Sequence, residues 1–387
     1  MLCAVNSHDG FRMADWHLAE QLSKQVPVLY VDPPRSALAS WRRHQAATPA
    51  AGVPRLRVLR PGLARLSTTV QPFPARRGSV GLTSALLRGY MRRATARLGG
   101  RAAVVISGWP AFPVFGSCGE QVTVYWAKDN FVGLASSQGL NTGLLDARER
   151  RIAADADLVL AANPLVAGTW RSRGLEPVLI PFGADVDAYL HVEHVPPPLD
   201  ITLPGPIAGF VGRINDRTDL RLLEAIAGRG RSLLLVGPKD PAFEPARFAA
   251  LRRRANVHWV GPKPSWTLPG YLRLIDVGLV PYRDSEFNRA SCPLKTLEYL
   301  AAGRAVVATD LPAIRWLDTD LICVADEPAS FADQVDRLLA KPREPAVLAR
   351  RQAFAARHSW ACRAADIRDA IDATAGRHPR HPVGAGG

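Results

Sequence analysis

The stretch Asn288-Arg-Ala-Ser-Cys-Pro-Leu-Lys-Thr-Leu-Glu-Tyr-Leu-Ala-Ala-Gly303 holds the side chains best spaced for chemistry in this 387-residue chain. Pro293 suits the first turn of a helix, with Ser291 or Cys292 as its cap, and Gly303 suits the end. A helix start presents free N–H groups and partial positive charge, so Pro293, Leu294, Lys295 and Thr296 make a seat for a diphosphate. Lys295 adds a full charge there. Glu298, three residues on and on the same face, could accept hydrogen bonds from two ribose hydroxyls. The plainer reading is an i,i+3 ion pair on a solvated face, although Glu298 sits in the apolar setting Leu-Glu-Tyr-Leu-Ala-Ala.

A second element precedes it: the strand-like Ile207-Ala-Gly-Phe-Val211, then Gly212-Arg213 and, opening a helix, Arg217-Thr-Asp219. Glycine directly after a strand lets a ligand approach the backbone. Arg213, at the edge of such a sheet, suits a pyrophosphate leaving group through bidentate, charge-assisted hydrogen bonds. Gly237-Pro238 and Gly261-Pro262-Lys263 repeat the strand–glycine pattern and would bring Gly237 and Lys263 to the same edge. In the first half, His8-Asp9-Gly10 follows the opening strand: Gly10 could turn backbone amides to phosphates, while His8, Asp9 and Arg12 could line an acceptor side. Lys128-Asp129, after Val122–Trp126, is a candidate pair for a transferred sugar or an acceptor hydroxyl, the alternative for Asp129 being a helix cap.

Those residues need a scaffold, and the chain alternates short apolar runs with helical patterns from end to end. Strands are expected at Leu2–Val5, Val28–Val31, Leu56–Leu59, Ala103–Ile106, Val122–Trp126, Leu158–Ala161 and Val178–Ile180. A second series runs through Ala208–Val211, Leu233–Val236, Val257–Val260, Val277–Val280, Ala305–Ala308 and Leu321–Val324. Helices are expected at Ala14–Lys24, Thr83–Leu98, Leu144–Ala154, Asp219–Ala227 and Leu294–Ala301. The alternation implies α/β architecture with parallel sheets, and two series imply two doubly wound domains. The proline-rich segment 196–206 reads as the linker between an N-terminal domain (1–195) and a C-terminal domain (207–358). A last helix is expected over 359–377 and a disordered tail over 378–387.

Composition narrows the classes. The chain is 47% hydrophobic and 22% charged, and no apolar run nears the roughly eighteen residues needed to cross a bilayer. The opening residues lack the basic and apolar regions of a signal peptide. Five scattered cysteines without a C-x-x-C pair indicate neither a disulfide framework nor a cysteine-rich zinc site, so a cytoplasmic setting is expected. The net charge of +14 is localised: fourteen arginines and no acid stand between Asp32 and Glu120, and the rest of the chain is neutral. A solvated surface explains this, as does an anionic partner, with an inner-membrane face the functional alternative. Leu82, Leu86, Tyr90, Ala94 and Leu98 step by four along a helix and offer an anchor for such attachment. A nicotinamide site would need G-x-G-x-x-G just after a strand, which is absent here. Nucleic acid is not expected as a partner, since the arginines are not convincingly interleaved with aromatic residues.

The ordered set Gly212-Arg213, strand-Gly237-Pro238, Asn256-Val-His-Trp-Val-Gly261, Leu268-Pro-Gly-Tyr-Leu272, Asp276-Val-Gly-Leu-Val-Pro281 and Pro293-Leu-Lys-Thr-Leu-Glu-Tyr-Leu-Ala-Ala-Gly303 resembles retaining glycosyltransferase family 4, with teichuronic-acid-type enzymes the nearest likeness. Val31-Asp-Pro-Pro34, Trp126-Ala-Lys-Asp129 and Pro181-Phe-Gly-Ala-Asp185 resemble those enzymes more distantly. The resemblance implies the GT-B fold, two Rossmann-like domains facing a cleft, with the final helix crossing back to the first. It implies a UDP- or GDP-sugar donor, a lipid-linked or saccharide acceptor, no cofactor and no metal. Arg213 is given to the donor diphosphate and Glu298 to the ribose, and no D-x-D pair is read near the nucleotide motifs. Two departures stand out. Thr218 occupies a position where many members have lysine, leaving Arg217 or Lys295 to replace it, and Ala290 stands where the first of two family glutamates would be. The alternatives are a sugar-nucleotide epimerase of the same fold and a degenerate, non-catalytic binding protein.

Overall fold

The computed structural model describes residues 1–9, 12–36, 55–74, 76, 78–129, 131–132, 141–292 and 294–377. Two compact units emerge, one formed by Met1–Pro181 with the segment from Ala361 onward, the other by Phe182–Trp360.

The first unit holds strands β1 (Leu2–Cys3), β2 (Val28–Val31), β3 (Arg35–Ser36), β4 (Arg55–Arg60), β5 (Leu63–Ser67), β6 (Thr69–Val70), β7 (Val104–Ser107), β8 (Val122–Ala127), β9 (Leu158–Ala161) and β10 (Val178–Leu179). Eight of them form one sheet in the order β10-β9-β8-β7-β1-β2-β5-β4, parallel throughout except where β4 pairs antiparallel with β5. Its helices are α1 (Ala14–Leu22), α2 (Val80–Arg97), α3 (Thr142–Ala154) and α4 (Pro164–Arg171). Every residue of β2, β8 and β9 is buried, which is why these strands read as unbroken apolar runs rather than alternating ones.

The second unit contains β11 (Ile207–Val211), β12 (Ser232–Val236), β13 (Val257–Trp259), β14 (Ile275–Val280), β15 (Ala305–Ala308) and β16 (Ile322–Val324). Its helices are α5 (Leu220–Gly228), α6 (Pro245–Arg252), α7 (Leu268–Leu274), α8 (Glu286–Arg289), α9 (Leu294–Ala301), α10 (Pro312–Trp316), α11 (Pro328–Leu339) and α12 (Pro345–Ala356). The six strands are all parallel in the order β13-β12-β11-β14-β15-β16, so direction along the sheet reverses between β11 and β14. In doubly wound sheets that reversal opens a crevice at the carboxyl ends of the strands. The first unit has the same reversal between β1 and β7. Leu222, Leu223 and Ile226 of α5 share a core with Phe331, Val335 and Leu339 of α11, covering one face of the second sheet. The other face is closed by Leu297, Leu300 and Ala301 of α9 and by Phe354 and Ala355 of α12. Gly303, at φ +72°, ends α9, and the Arg304 amide reaches back to the Tyr299 carbonyl at 2.8 Å.

Three expectations change. The chain leaves the first unit at Pro181, ahead of the proline-rich segment 196–206. Val186, Tyr189 and Val192 are buried in the second unit's core, and Arg304, wholly buried, reaches Glu193 at 2.6 Å. The α2 stripe is rotated. Thr83, Ser84, Leu87, Met91 and Ala94 face inward, Leu86 and Tyr90 flank them, and Leu82 and Leu98 are exposed, because helix contacts follow i+3 as well as i+4 steps. The arginine block is not wholly a surface either, since Arg65 is buried between two aspartates. The last described helix, α13 (Trp360–Arg377), belongs from Ala361 to the first unit. The tail expected from 378 lies outside the described residues.

Candidate functional site

The loops after β11 and β12 are tied together edge to edge. The Gly212 amide donates to the Val236 carbonyl at 2.8 Å, and the Gly237 amide donates to the Gly261 carbonyl at 2.8 Å. Gly237 has φ +134°, and a Cβ there would lie 2.1 Å from the Gly212 carbonyl oxygen, so no larger residue fits. This close seam ends at Arg213, which is exposed and pairs with no acid among the described residues.

The loop after β14 closes the other side of the reversal. Pro281 accepts from the Asp219 amide at 2.8 Å, and the Arg283 amide donates to the Arg217 carbonyl at 2.8 Å. Tyr282, which sequence reasoning did not single out, stands at the centre. The Arg217 guanidinium lies 5.1 Å from its ring and 4.8 Å from the ring of Phe287. Burial pushes the Tyr282 hydroxyl up, the nearby charges of Arg217 and Lys295 pull it down, and Glu298 adds to the rise. Arg217 thus stands over this ring, and the charges of Lys295 and Glu298 act on its hydroxyl. Thr218, at the departure from the family pattern, is fully buried and its hydroxyl has no hydrogen-bond partner.

On α9, Lys295 Nζ donates to Glu298 Oε2 at 2.8 Å, and both side chains are largely buried. Burial works against the Lys295 charge, but the Glu298 carboxylate outweighs it and holds the ammonium above its ordinary pKa. Tyr299 anchors the helix by accepting the Val211 amide at 2.8 Å, which fixes α9 against the end of β11. Thr296 is buried with an unpartnered hydroxyl, and Leu294 is half-buried at the helix start. Pro293 lies outside the described residues. Burial, and then the charges of Glu298 and Asp185, push the Tyr189 hydroxyl up. Asp185-Val186-Asp187 has D-x-D spacing along the chain, and no group of three or more possible metal-ligating side chains stands among the described residues. Lys263 is committed elsewhere: it pairs with Asp200 at 2.7 Å and lies 5.4 Å from the ring of Tyr271. Ala290 follows the short helix α8.

In the first unit the loop after β1 forms a polar network at the sheet reversal. Asp32, fully buried, accepts from the His8 amide at 2.9 Å, from Arg65 Nε at 2.9 Å and from the Ser67 hydroxyl at 2.7 Å. Arg65 also grips the exposed Asp9 at 2.8 Å, and this hydrogen bond holds the Asp9 carboxyl below its usual range. His8 is half-buried with Nε2 unpartnered. Burial and then the Arg65 charge lower its pKa, so the ring is neutral at pH 7. Lys128 is buried and paired with buried Asp15, whose other oxygen accepts the Val5 amide at 3.1 Å. Asp129 is half-buried beside it. Arg12 lies 4.4 Å from the ring of Trp16, and Gly10 is outside the described residues. Asp15, Asp32 and Arg65 were missed because only the fold brings residues so distant in sequence together.

Residues 205–341 match the family described as Glycosyl transferases group 1. A Bacillus subtilis (strain 168) protein described as the teichuronic acid biosynthesis glycosyltransferase TuaH is 32% identical over 163 residues, covering 41% of each chain. The D-inositol 3-phosphate glycosyltransferase of Acidothermus cellulolyticus is 28% identical over 249 residues, 54% of this chain and 53% of its own. The matched stretches thus span about half or less of either relative. Over the whole length, the structure of sucrose-phosphate synthase from Thermosynechococcus elongatus superposes with a TM-score of 0.68 at 18% identity, covering 97% and 98% of the two chains. The fold class is GT-B, two Rossmann-like α/β domains.

Proposed function

We propose that this chain is a glycosyltransferase that moves a sugar from a nucleotide-sugar donor, UDP- or GDP-linked, to a lipid-linked or saccharide acceptor of the cell envelope, with retention. The observation that carries the reading is Arg217 over the Tyr282 ring together with the Lys295–Glu298 pair on α9, a helix anchored to the end of β11 by Tyr299, at the sheet reversal next to Gly212-Arg213. In this reading, Gly212 and Gly237 let the diphosphate approach the backbone, and Arg213, Arg217 and Lys295 neutralise it. Glu298 then exchanges part of its bond to Lys295 for the ribose hydroxyls. Negative charge on the leaving diphosphate grows as the glycosidic bond breaks, so exposed Arg213 contributes more in the transition state than in the ground state. His8, Asp9 and Arg12 are assigned to the acceptor and Asp129 to the transferred sugar, with Lys128 holding the loop through Asp15.

The chemistry proposed needs no divalent ion, because three cationic side chains serve the diphosphate. The match of residues 205–341 to the family described as Glycosyl transferases group 1, and the similarity of 41% of the chain to TuaH, support the reaction class. A non-catalytic nucleotide-sugar binder is the second reading, favoured by Ala290. The test is a nucleotide and nucleotide-sugar screen by melting temperature and turnover, with chelator. A ligand at a hundredfold over its dissociation constant stabilises by about 2.7 kcal/mol. Glu298→Gln should weaken nucleotide binding, whereas Arg213→Ala should lower kcat more than affinity. Binding without transfer supports the second reading. Wild-type behaviour in both variants overturns the site, and transfer lost to chelator and restored by magnesium or manganese overturns the metal-free mechanism in favour of Asp185 and Asp187.

A further inference from the structure

One guanidinium at the carboxyl edge of the second sheet, that of Arg283, has no part in the scheme above and yet meets the loops after three strands. It stands on the loop that follows β14, and its own amide donates to the Arg217 carbonyl at 2.8 Å. Its Nε donates to the Thr218 carbonyl at 3.1 Å, in the loop after β11. A terminal nitrogen pairs with Glu244, at the far end of the loop after β12. The guanidinium also lies 5.4 Å from the ring of the adjacent Phe243.

Glu244 is held at a cost. Its φ of +38° and ψ of +56° lie in the left-handed region, which a residue with a Cβ adopts reluctantly. It precedes α6, yet its carboxylate gives that helix no capping hydrogen bond and turns instead to Arg283 and, at 3.4 Å, to Arg247. The two side chains are 39% and 27% exposed, and an ion pair so placed contributes little to global stability. Helix α6 is docked without it, by two bonds of 2.6 Å from Arg247 to Glu224 and by Phe248 and Leu251 in the core. Backbone strain kept by such a pair is a mark of ligand clamps rather than of scaffolding. What the pair fixes is the loop after β12. Its near half is already bound to the loop after β11, since the Ile214 amide donates to the Pro238 carbonyl and the Asp240 amide to the Ile214 carbonyl, each at 2.9 Å. Arg283 brings the far half, 241–244, to that same loop.

We propose that Arg283 is a positioning residue of the donor site. Through Glu244 and the Thr218 carbonyl it keeps the loops that carry Arg213, Arg217 and Gly237 in the arrangement a nucleoside diphosphate needs, so that the ligand does not have to order them. The inference rests on the donor reading above. Isothermal titration of the full chain with UDP and GDP, well below the melting temperature of every variant, tests it. Arg283→Met should weaken binding of the diphosphate about fivefold, because the ligand then has to order the loop itself. Arg283→Lys, which keeps the charge but not the fork, should fall between. Glu244→Ala and Glu244→Gly should each lose about as much as Arg283→Met, and Arg283→Met with Glu244→Ala little more than either alone. Their stabilities should part, however. Glycine accepts the left-handed backbone and alanine does not, so Glu244→Gly should melt above Glu244→Ala. Affinity that follows melting temperature through this set would mark a merely structural pair and overturn the proposal. Unchanged binding in Arg283→Met, or additive losses in the double variant, would overturn it as well while leaving the donor site in place. Failure of the unaltered chain to bind either nucleotide would instead overturn the donor reading, and this inference with it.

Discussion

The Nε of Arg217 donates to Oδ1 of Asn288 at 2.7 Å, and Asn288 is fully buried. The Asn288 amide nitrogen in turn donates to the carbonyls of Arg217 and Arg283, at 3.1 and 2.9 Å. One side chain thus sets both the backbone and the guanidinium of Arg217, leaving the terminal nitrogens to an incoming anion. Arg217→Gln should weaken nucleoside diphosphate binding about tenfold while leaving nucleoside binding unchanged, since charge-assisted hydrogen bonds contribute roughly 1.5–3 kcal/mol. Asn288→Ala should show the same selective loss together with lower stability. Isothermal titration of UDP and uridine against both variants measures this, and parallel losses for the two ligands would remove Arg217 from the diphosphate.

The buried Lys128–Asp15 pair is a stability element first. Removing one partner leaves an uncompensated charge, which costs about 3–5 kcal/mol, whereas removing both at once can be far milder. Lys128→Met should therefore destabilise the first unit strongly, and Lys128→Met with Asp15→Asn should be less damaging than the sum of the two single changes. Urea unfolding of the four proteins gives the coupling energy.

The lowered pKa of His8 gives stability a direction in pH. The folded chain holds the ring neutral, so the unfolded chain binds more protons below the ordinary value of 6.5. This contribution is complete above that pH and is lost as pH falls from it toward the folded value. His8→Asn should flatten the decline in urea midpoint between about pH 7 and pH 5, and an unchanged decline would assign the acid sensitivity to other groups.

Both sheets were legible because strands buried on both faces carry unbroken apolar runs. Val28–Val31, Leu158–Ala161 and Ala305–Ala308 read correctly to the residue, as did helix Leu294–Ala301. The strand Leu63–Ser67 was hidden by its own chemistry. Arg65 interrupts the apolar pattern, and only the aspartates that neutralise it explain its burial. At the candidate site, the pieces on one helix or in one loop were visible: Lys295 with Glu298, and Gly212 with Arg213. Tyr282 and Asn288 were not, because their part depends on β14 lying beside β11, a neighbourhood set by sheet order rather than by spacing along the chain. Lys263 shows the converse, since its strand–glycine context was right but its partner, Asp200, comes from 63 residues earlier.

The two units are not threaded alike: the second is one uninterrupted stretch, whereas the first takes α13 from beyond it. A ribosome emits the chain in order, and domains fold as units when their last segment arrives. The second unit therefore has all its parts while the first still waits for one. The half of the molecule begun earliest is completed last, and until then the surface that α13 covers with Ala364, Ile367 and Ile371 stands open to water or to a chaperone.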